Sequence, residues 1–335
     1  MSGGREVRIA LPGLADSLAR LAAEDAALRL PAAEWVMARG REDRGVAQDW
    51  REWVLAGSGL GDDVLRHFPA GPSSVPADAV MPAGQTWARA EPVHLLTAID
   101  HLQLASPVPL PLEASESGPL LETLNAHLAG TGFELRALAD GGWLCRCPDG
   151  LECETVDPFD ALGRNLRELL PSGRDAVRVR SFVNELQMLL HEHPVNERLA
   201  ARGSPPVNSV WLWGMGTMRE ATAAVQGDLL TDDAWLAALW RRHGGRVRPL
   251  TEIGHALQEG GADLRVAAAA GRDGRRATDV LQALEANFFA PVRAELAASR
   301  VSRVSLHVGR RALDLTPSVR WVFWRRARPL AEVLR

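Results

Sequence analysis

The sequence predicts an α/β fold, a largely parallel sheet with helices against it, interrupted by an α+β insertion. A short apolar run at 7–11 ends at Pro12-Gly13, as a buried strand opening into a turn does. After residue 207, strand-like and helix-like segments alternate, the pattern of a parallel layer fold. Between them, residues 86–155 change texture to short alternating segments, a proline-marked loop and a hairpin pattern. The expected organisation is residues 1–85 as the first part of the α/β core, 86–155 as an inserted α+β subdomain and 156–335 as the rest of the core.

In chain order, Leu14, Leu18, Leu21 and Leu28 recur at helical spacing after the first strand, and Pro31 stops that helix. Further helices are expected over 32–39, 46–55 and 62–67. Residues 69–84 are rich in Pro, Ser, Gly and Ala, the composition of a surface linker. A pair of strands is expected within 91–104, and Pro107, Pro109 and Pro111 mark a loop. A helix over 118–128 puts Leu120, Leu121, Leu124 and Leu128 on one face, and 133–138 with 143–146 read as a hairpin around Asp140-Gly141-Gly142. The helix over 176–193 carries one stripe of Phe182, Leu186, Leu189, Leu190 and His193 and a second of Asn184, Gln187 and His191. Pro194 ends it. A strand over 207–213 runs into a turn made by Gly214 and Gly216. Beyond it come a strand at 223–225, a helix over 233–243 and strands at 246–250 and 264–269. A long amphipathic helix over 277–298 and paired strands at 303–308 and 311–315 complete the pattern.

Composition narrows the class. Of 335 residues, 46% are hydrophobic and 24% charged, enough for a sizeable core. The net charge of −4 gives no general attraction to nucleic acid or acidic membranes. All 38 basic residues are arginine, with no lysine or tyrosine, which reads as the codon bias of a GC-rich genome. The 11 tryptophans then fill places tyrosine would share. No apolar run approaches a membrane span, and the polar first residues are unlike a secretory signal. A cytoplasmic protein is expected. Cys145, Cys147 and Cys153 are an odd set with the wrong spacing for a zinc knuckle; Cys145 and Cys147 would share one side of a hairpin as core or edge residues.

The stretch from Asn184 to Gly216 carries a family resemblance. His193-Pro194-Val195-Asn196, then Arg198, Gly203, Asn208 and Val210-Trp211-Leu212-Trp213-Gly214-Met215-Gly216, resembles the archaeal-type branch of cofactor-independent phosphoglycerate mutases. The preceding run, Asn184-Glu185-Leu186-Gln187-Met188-Leu189-Leu190-His191, looks like a bacterial subgroup, the RpfE-type regulatory proteins. Two tryptophans in register make the match specific. The resemblance implies an alkaline-phosphatase-like sheet sandwiched by helices, with an inserted α+β subdomain. It also implies two divalent metals, manganese or zinc, held by Asp and His beside a transiently phosphorylated Ser.

The ligand positions depart from that pattern. Pro12-Gly13 stands where the family has Asp-Gly, and proline offers no ligand atom. Arg272-Asp273-Gly274-Arg275-Arg276 replaces an Asp-Glu-x-x-His segment, and His307-Val308-Gly309-Arg310 lacks the family's adjacent Asp. Leu95-Leu96 stands where a substrate Arg belongs, and Ser58 is the nearest match to the nucleophile. Arginines at a cation site repel the cation. The expectation is therefore a lost metal site, no bound cofactor and no assigned catalytic residue. The protein is expected to be a non-catalytic regulatory or ligand- or partner-binding protein on a degenerate scaffold. The alternative is a phosphoglycerate mutase-like or phosphatase-like enzyme acting on a small phosphorylated metabolite.

Candidate ligand contacts are Asn184, Gln187, His191, Asn196, Arg198, Asn208, Gly214 and Gly216. Amides are costly to bury unpaired, and a glycine turn at a strand's carboxyl end is where α/β sheets place ligands. The favoured structural alternative is an amide network satisfied by backbone. The resemblance adds Asp16, His94 and Asp100. His191 and His193 point in different directions and make no shared metal site. Trp211 and Trp213 share a strand face, where core packing is the default. In the tail, Arg320, Arg325, Arg326 and Arg328 surround Trp321 and Trp324, a mixture that can stack on nucleic acid. Given the acidic whole, the expectation is a terminal helix with docked tryptophans and wet arginines, and nucleic acid is not an expected partner. Expected partners are a protein or a small phosphorylated ligand.

Overall fold

The computed structural model describes residues 5–14, 28–43, 50–60, 70–75, 84–97, 102–105, 108–162, 164–217, 224–259, 263–268, 277–309, 311–322 and 324–327. The chain divides into two compact units, Met1–Asp62 with Ala221–Arg335, and Asp63–Glu220.

The first unit opens with β1 (Glu6–Leu11), whose Val7, Ile9 and Leu11 are buried. The helix expected from Leu14 to Leu28 lies mostly outside the described residues, as does the one over 62–67. α1 (Pro31–Arg39) starts on a proline, which fits a first helical turn that has no N–H partner there. Its N-cap, Leu30, gives no side-chain hydrogen bond. Glu285 does that work from far along the chain, its Oε1 and Oε2 accepting from Ala32 N at 2.6 Å and Ala33 N at 2.9 Å. Glu285→Ala should therefore lower stability by about 1–2 kcal/mol in urea unfolding, the range of a lost cap. β2 (Arg41–Asp43) and α2 (Trp50–Leu55) follow.

The second unit begins with α3 (Ala70–Ser73), in the stretch whose composition suggests a surface linker. It is buried instead. Small residues are needed because its backbone lies on a sheet: a Cβ on Gly71 would collide with Ala88 Cα and stand 2.5 Å from the Trp87 carbonyl oxygen. The unit continues through β3 (Thr86–Val93), β4 (Leu95–Thr97), β5 (Leu102–Leu104), α4 (Ala114–Leu128), β6 (Glu134–Ala137) and β7 (Trp143–Arg146). α4 starts earlier than its leucine spacing suggests because Glu113 and Glu116 form a reciprocal capping box. α5 (Ala176–His191), α6 (Val195–Ala201) and β8 (Ser209–Thr217) complete it.

β6-β7-β3-β8 form an antiparallel sheet, and β4-β5 a separate ladder. One sheet face, with Ala88, Ala90, Cys145 and Leu212, packs on Leu120 and Leu124 of α4 and Phe182, Leu186 and Leu190 of α5. The unit is wider than residues 86–155 because β8 pairs along β3, from Thr86↔Thr217 to Val93↔Ser209. Sheet and helices both need the chain beyond residue 155.

β8 also differs from the expected strand. It runs through Gly214 and Gly216 rather than turning there. The register shifts opposite Trp87 and Arg89, and Gly214 sits at φ +58°, a bulge that keeps the strand in the sheet. The rule that places ligands at carboxyl ends of parallel strands does not apply to this antiparallel edge.

The chain then returns to the first unit with β9 (Asp228–Thr231), α7 (Ala234–Arg242), β10 (Arg246–Arg248), α8 (Ile253–Glu259) and β11 (Leu264–Ala267). The strand expected at 223–225 is not seen at Ala224 or Val225; β9 lies three residues later. α9 (Ala277–Leu284) joins α10 (Ala290–Ala297) through one π-helical turn, Glu285–Phe289. The hairpin β12 (Arg303–Val308) and β13 (Arg311–Leu315) ends the sheet, ordered β10-β9-β11-β1-β12-β13-β2. The first five strands are parallel and the last two pairings antiparallel. This is the expected mixed α/β layer, a central mostly parallel sheet with helices. Val7, Ile9, Leu230, Val266 and Leu306 face the main apolar core with α1, α8, α9 and α10. The other face carries Arg8, Arg265 and His307 under Trp53 and Trp240.

The described part of the tail, through residue 327, departs from the docked helix expected of it; Arg328 lies outside the described residues. Pro317–Trp321 is a 3-10 turn, and Trp321 and Trp324 are 65% and 68% exposed. Arg320 stacks on Trp321 at 5.2 Å.

Candidate functional site

Parallel sheets bind ligands beyond the carboxyl ends of their strands, so that edge of the first unit is the first place to look. β9 ends in Thr231, whose hydroxyl donates to Ala267 O at 2.8 Å and accepts from Asp233 N at 2.9 Å. Asp233 caps α7 by accepting from Leu236 N at 2.9 Å. Its Oδ2 also meets Arg51 Nη2 at 3.2 Å, with both side chains buried. The Arg51 guanidinium stacks 4.4 Å from the Trp50 ring and 5.0 Å from Trp235. A cation clamped by two indoles thus holds this carboxylate.

Among the described residues, that donor set does not supply a two-metal centre. Pro12 ends β1 without a donor, Asp233 is committed to a guanidinium, and His307 packs 5.3 Å from the Trp53 ring. Among the described residues, no three His, Cys, Asp or Glu converge where they could hold a metal ion. Asp16, Asp100 and 272–276 lie outside the described residues. Ser58 is buried and belongs to the opposite edge, since its carbonyl accepts from Gln226 N at 2.8 Å, just ahead of β9's first residue. A cavity of about 210 Å3 near the β9 and β11 ends is lined by Asp232, Thr251, Asn287 and Phe288.

The remaining candidates lie in the second unit. Asn196 splices backbone to backbone: Nδ2 donates to Leu190 O at 2.8 Å and Val207 O at 3.0 Å, and Oδ1 accepts from Val207 N at 2.9 Å. Asn208 does the same with Leu95, accepting from its N at 2.7 Å and donating to its O at 2.9 Å. His94 Nδ1 donates to Pro206 O at 2.8 Å, and Arg198 donates to Ser115 O at 3.3 Å. These contacts form the backbone-satisfying network that the sequence offers as the structural alternative. Asn196→Ala should cost about 2 kcal/mol in urea unfolding, because the Val207 backbone pair loses its partners. Asn184→Ala, at an exposed position, should stay within about 0.5 kcal/mol.

His193 is buried; its Nδ1 accepts from Val195 N at 3.2 Å, so the proton sits on Nε2, 3.0 Å from Thr123 Oγ1. Burial pushes its pKa below the ordinary histidine value. His191 is exposed on the helix surface. Asn184 and Gln187 instead border a cavity of about 270 Å3 beside β8. Gln187 Nε2 donates to Ser209 Oγ at 2.8 Å. The structure therefore brings Asn184 and Gln187 together and leaves Asn196, Asn208 and Arg198 tying backbone. Cys145 and Cys147 share the core, sulfurs 3.9 Å apart, and burial pushes the Cys145 thiol well up, away from the thiolate that binds metals.

One polar cluster is not read from the sequence. On the opposite sheet face, Arg89 Nε donates to Glu91 Oε1 at 2.6 Å and Nη1 to Asp140 Oδ2 at 2.8 Å and Ser74 Oγ at 3.2 Å. Trp213 Nε1 donates to Glu91 Oε1 at 2.9 Å. Burial raises the Glu91 pKa against the pull of Arg89. Burial also opposes charge on Arg89, but Glu91 and Asp140 outweigh it and hold its pKa above the usual value. Gly142 leaves the room: a Cβ there would collide with Glu91 Oε2 and Arg89 Nη2. The available signal was two charges spaced by two in a strand, which places both on one face.

No protein-family model matches the chain. The 2,3-bisphosphoglycerate-independent phosphoglycerate mutase of Methanosarcina barkeri is 27% identical over 203 residues, 58% of this chain and 50% of that protein. A probable mutase of the same description from Geobacter sulfurreducens is 41% identical over 61 residues, 18% of this chain and 15% of its own. The chain thus spans half or less of the length of these curated relatives. The cofactor-independent phosphoglycerate mutase from Thermoplasma acidophilum aligns over 99% of this chain and 95% of its own, with 15% identity and a TM-score of 0.44. The chain is distantly similar in sequence to cofactor-independent phosphoglycerate mutases.

Proposed function

We propose that this chain is a non-catalytic binding protein, regulatory in role, on a scaffold related to cofactor-independent phosphoglycerate mutases. The supporting observation is the Arg51–Asp233 pair, a buried cation between Trp50 and Trp235 at the carboxyl edge of the parallel sheet. A divalent ion there would have to displace a guanidinium from a desolvated carboxylate, and two positive charges at that spacing repel strongly. The same reading extends to a cytoplasmic protein of the RpfE-type regulatory kind that meets a protein partner or a small phosphorylated ligand.

Calorimetric titration of the purified chain with manganese and with zinc tests it. The expected result is no stoichiometric site. Two tight ions per chain would overturn the reading and favour a mutase-like or phosphatase-like enzyme.

A further inference from the structure

We propose that the cavity beside β8 binds a small amphipathic monoanion, a single carboxylate head on a short aliphatic body. It lies wholly within the second unit and does not depend on whether the carboxyl edge of the first unit is catalytic.

β8 is the edge strand of its sheet, so one side of it is not covered by another strand. α5 and the β4-β5 ladder border the space left there, together with the segment around Val156 and Leu169. The volume, about 270 Å3, equals roughly nine waters at ~30 Å3 each, near the lower end of small-molecule pockets. Most of the wall is apolar, with Leu95, Leu102, Leu169, Val183 and Trp211. Trp211 makes no polar demand on an occupant, because its Nε1 donates to Val156 O at 2.8 Å. Such a wall is a poor home for water, which needs two or more polar partners, and a good one for an aliphatic chain.

The polar groups fall on one side. Arg180, Asn184 and Gln187 are spaced i, i+4 and i+7 along α5, which stacks them on one helix face. Gln187 is tied to Ser209, itself only 2% exposed, so the deeper polar pair is neutral and occupied with itself. Arg180 and Asn184 are exposed and nearer the helix start, where they border the cavity at solvent. No carboxylate pairs with Arg180 among the described residues, although Arg174, on the preceding turn, meets both Glu152 and Asp175. A carboxylate fits that rim: the guanidinium offers two parallel donors, and the Asn184 amide a third. One guanidinium neutralises one negative charge, so a monoanion is matched and a phosphate dianion is left half uncompensated.

Octanoate, octan-1-ol and octyl phosphate test the assignment on the full chain, by calorimetry and by the shift in melting temperature. Octanoate should bind saturably and raise the melting temperature, because a ligand held only by the folded state stabilises it. Arg180→Gln should weaken octanoate about tenfold and leave octanol unchanged. Val183→Phe, which fills the cavity, should abolish both. In methyl-labelled wild-type protein, octanoate should move the resonances of Leu102, Leu169 and Val183 and spare Leu124, which makes the test independent of any variant's folding. Absence of saturable octanoate binding, shifts confined to other methyls, or equal binding by Arg180→Gln would each overturn the proposal. Tighter binding of octyl phosphate would overturn the head-group assignment. None of these outcomes bears on metal binding in the first unit, so the two readings fail separately.

Discussion

Replacing Arg89 by methionine should destabilise the second unit by about 3–5 kcal/mol at neutral pH, the cost of leaving a buried charge uncompensated. Glu91 is fully buried and Asp140 one-third exposed, and both depend on the one guanidinium. Methionine keeps much of the length and apolar stem, so the loss is in charge more than in packing. The deficit should depend on pH, and its sign follows from Glu91. Burial already raises the Glu91 pKa above its usual 4.5, and removing Arg89 removes the attraction that opposes the rise. The folded variant then holds a proton that the unfolded chain releases above about 4.5, so folding of the variant is favoured as pH falls. The gap between variant and parent should narrow between neutral pH and pH 5 in urea unfolding. A gap that stays constant or widens on acidification would contradict the dependence of Glu91 on Arg89.

Gly214→Ala should cost on the order of 3 kcal/mol, and it tests what the glycines of the Trp-Leu-Trp-Gly-x-Gly signature are for. Two effects add. The residue sits at φ +58°, where a side chain costs about 1–2 kcal/mol, and its Cβ would collide with Ala70 Cβ and stand 2.8 Å from Ala70 N, an overpacking of about 1–3 kcal/mol. The neighbour is a helix backbone rather than a flexible side-chain tip, so relief is small. Gly118→Ala is the control of opposite sign. Gly118 lies inside α4 with nothing within 4 Å of its Cβ, and alanine there should add about 0.5–1 kcal/mol. A neutral Gly214→Ala would contradict the close approach of α3 to this glycine.

The parallel layer is legible in the sequence because its strands are short, largely apolar segments, broken by residues such as Arg8, Arg265 and His307, between strong helical periodicities. The helix expected over 176–193 was equally clear from its leucine stripe, though it ends at His191. The unit boundary was not, because β8 pairs with β3 across more than a hundred residues, and no local pattern marks such a pairing. α3 was misread as linker since the same small residues serve a flexible surface and a helix pressed on a sheet; only the Gly71–Ala88 approach separates them. The Gly214 turn was misread for the related reason that a bulge and a turn both use glycine at positive φ. Among the amides, their type predicted a satisfied network, and Asn196 and Asn208 fulfil it. The cavity depends on several separated segments and was legible only through Asn184 and Gln187, which share its helix face. The Arg89–Glu91 pair was visible as two charges on a strand, but burial turns that spacing into a dependence.

The distant similarity to phosphoglycerate mutases covers about half of a relative's length, and the stretch from Asn184 to Gly216 that resembles the family lies in the α+β unit. Our proposal that metal-dependent phosphoryl transfer is absent rests on the Arg51–Asp233 pair at the carboxyl edge of the parallel sheet. Interconversion of 3-phosphoglycerate and 2-phosphoglycerate, followed by phosphorus NMR with the full chain and saturating manganese, tests that proposal most directly. No conversion above the protein-free control is the predicted result; turnover that scales with protein concentration and stops on chelation would contradict it.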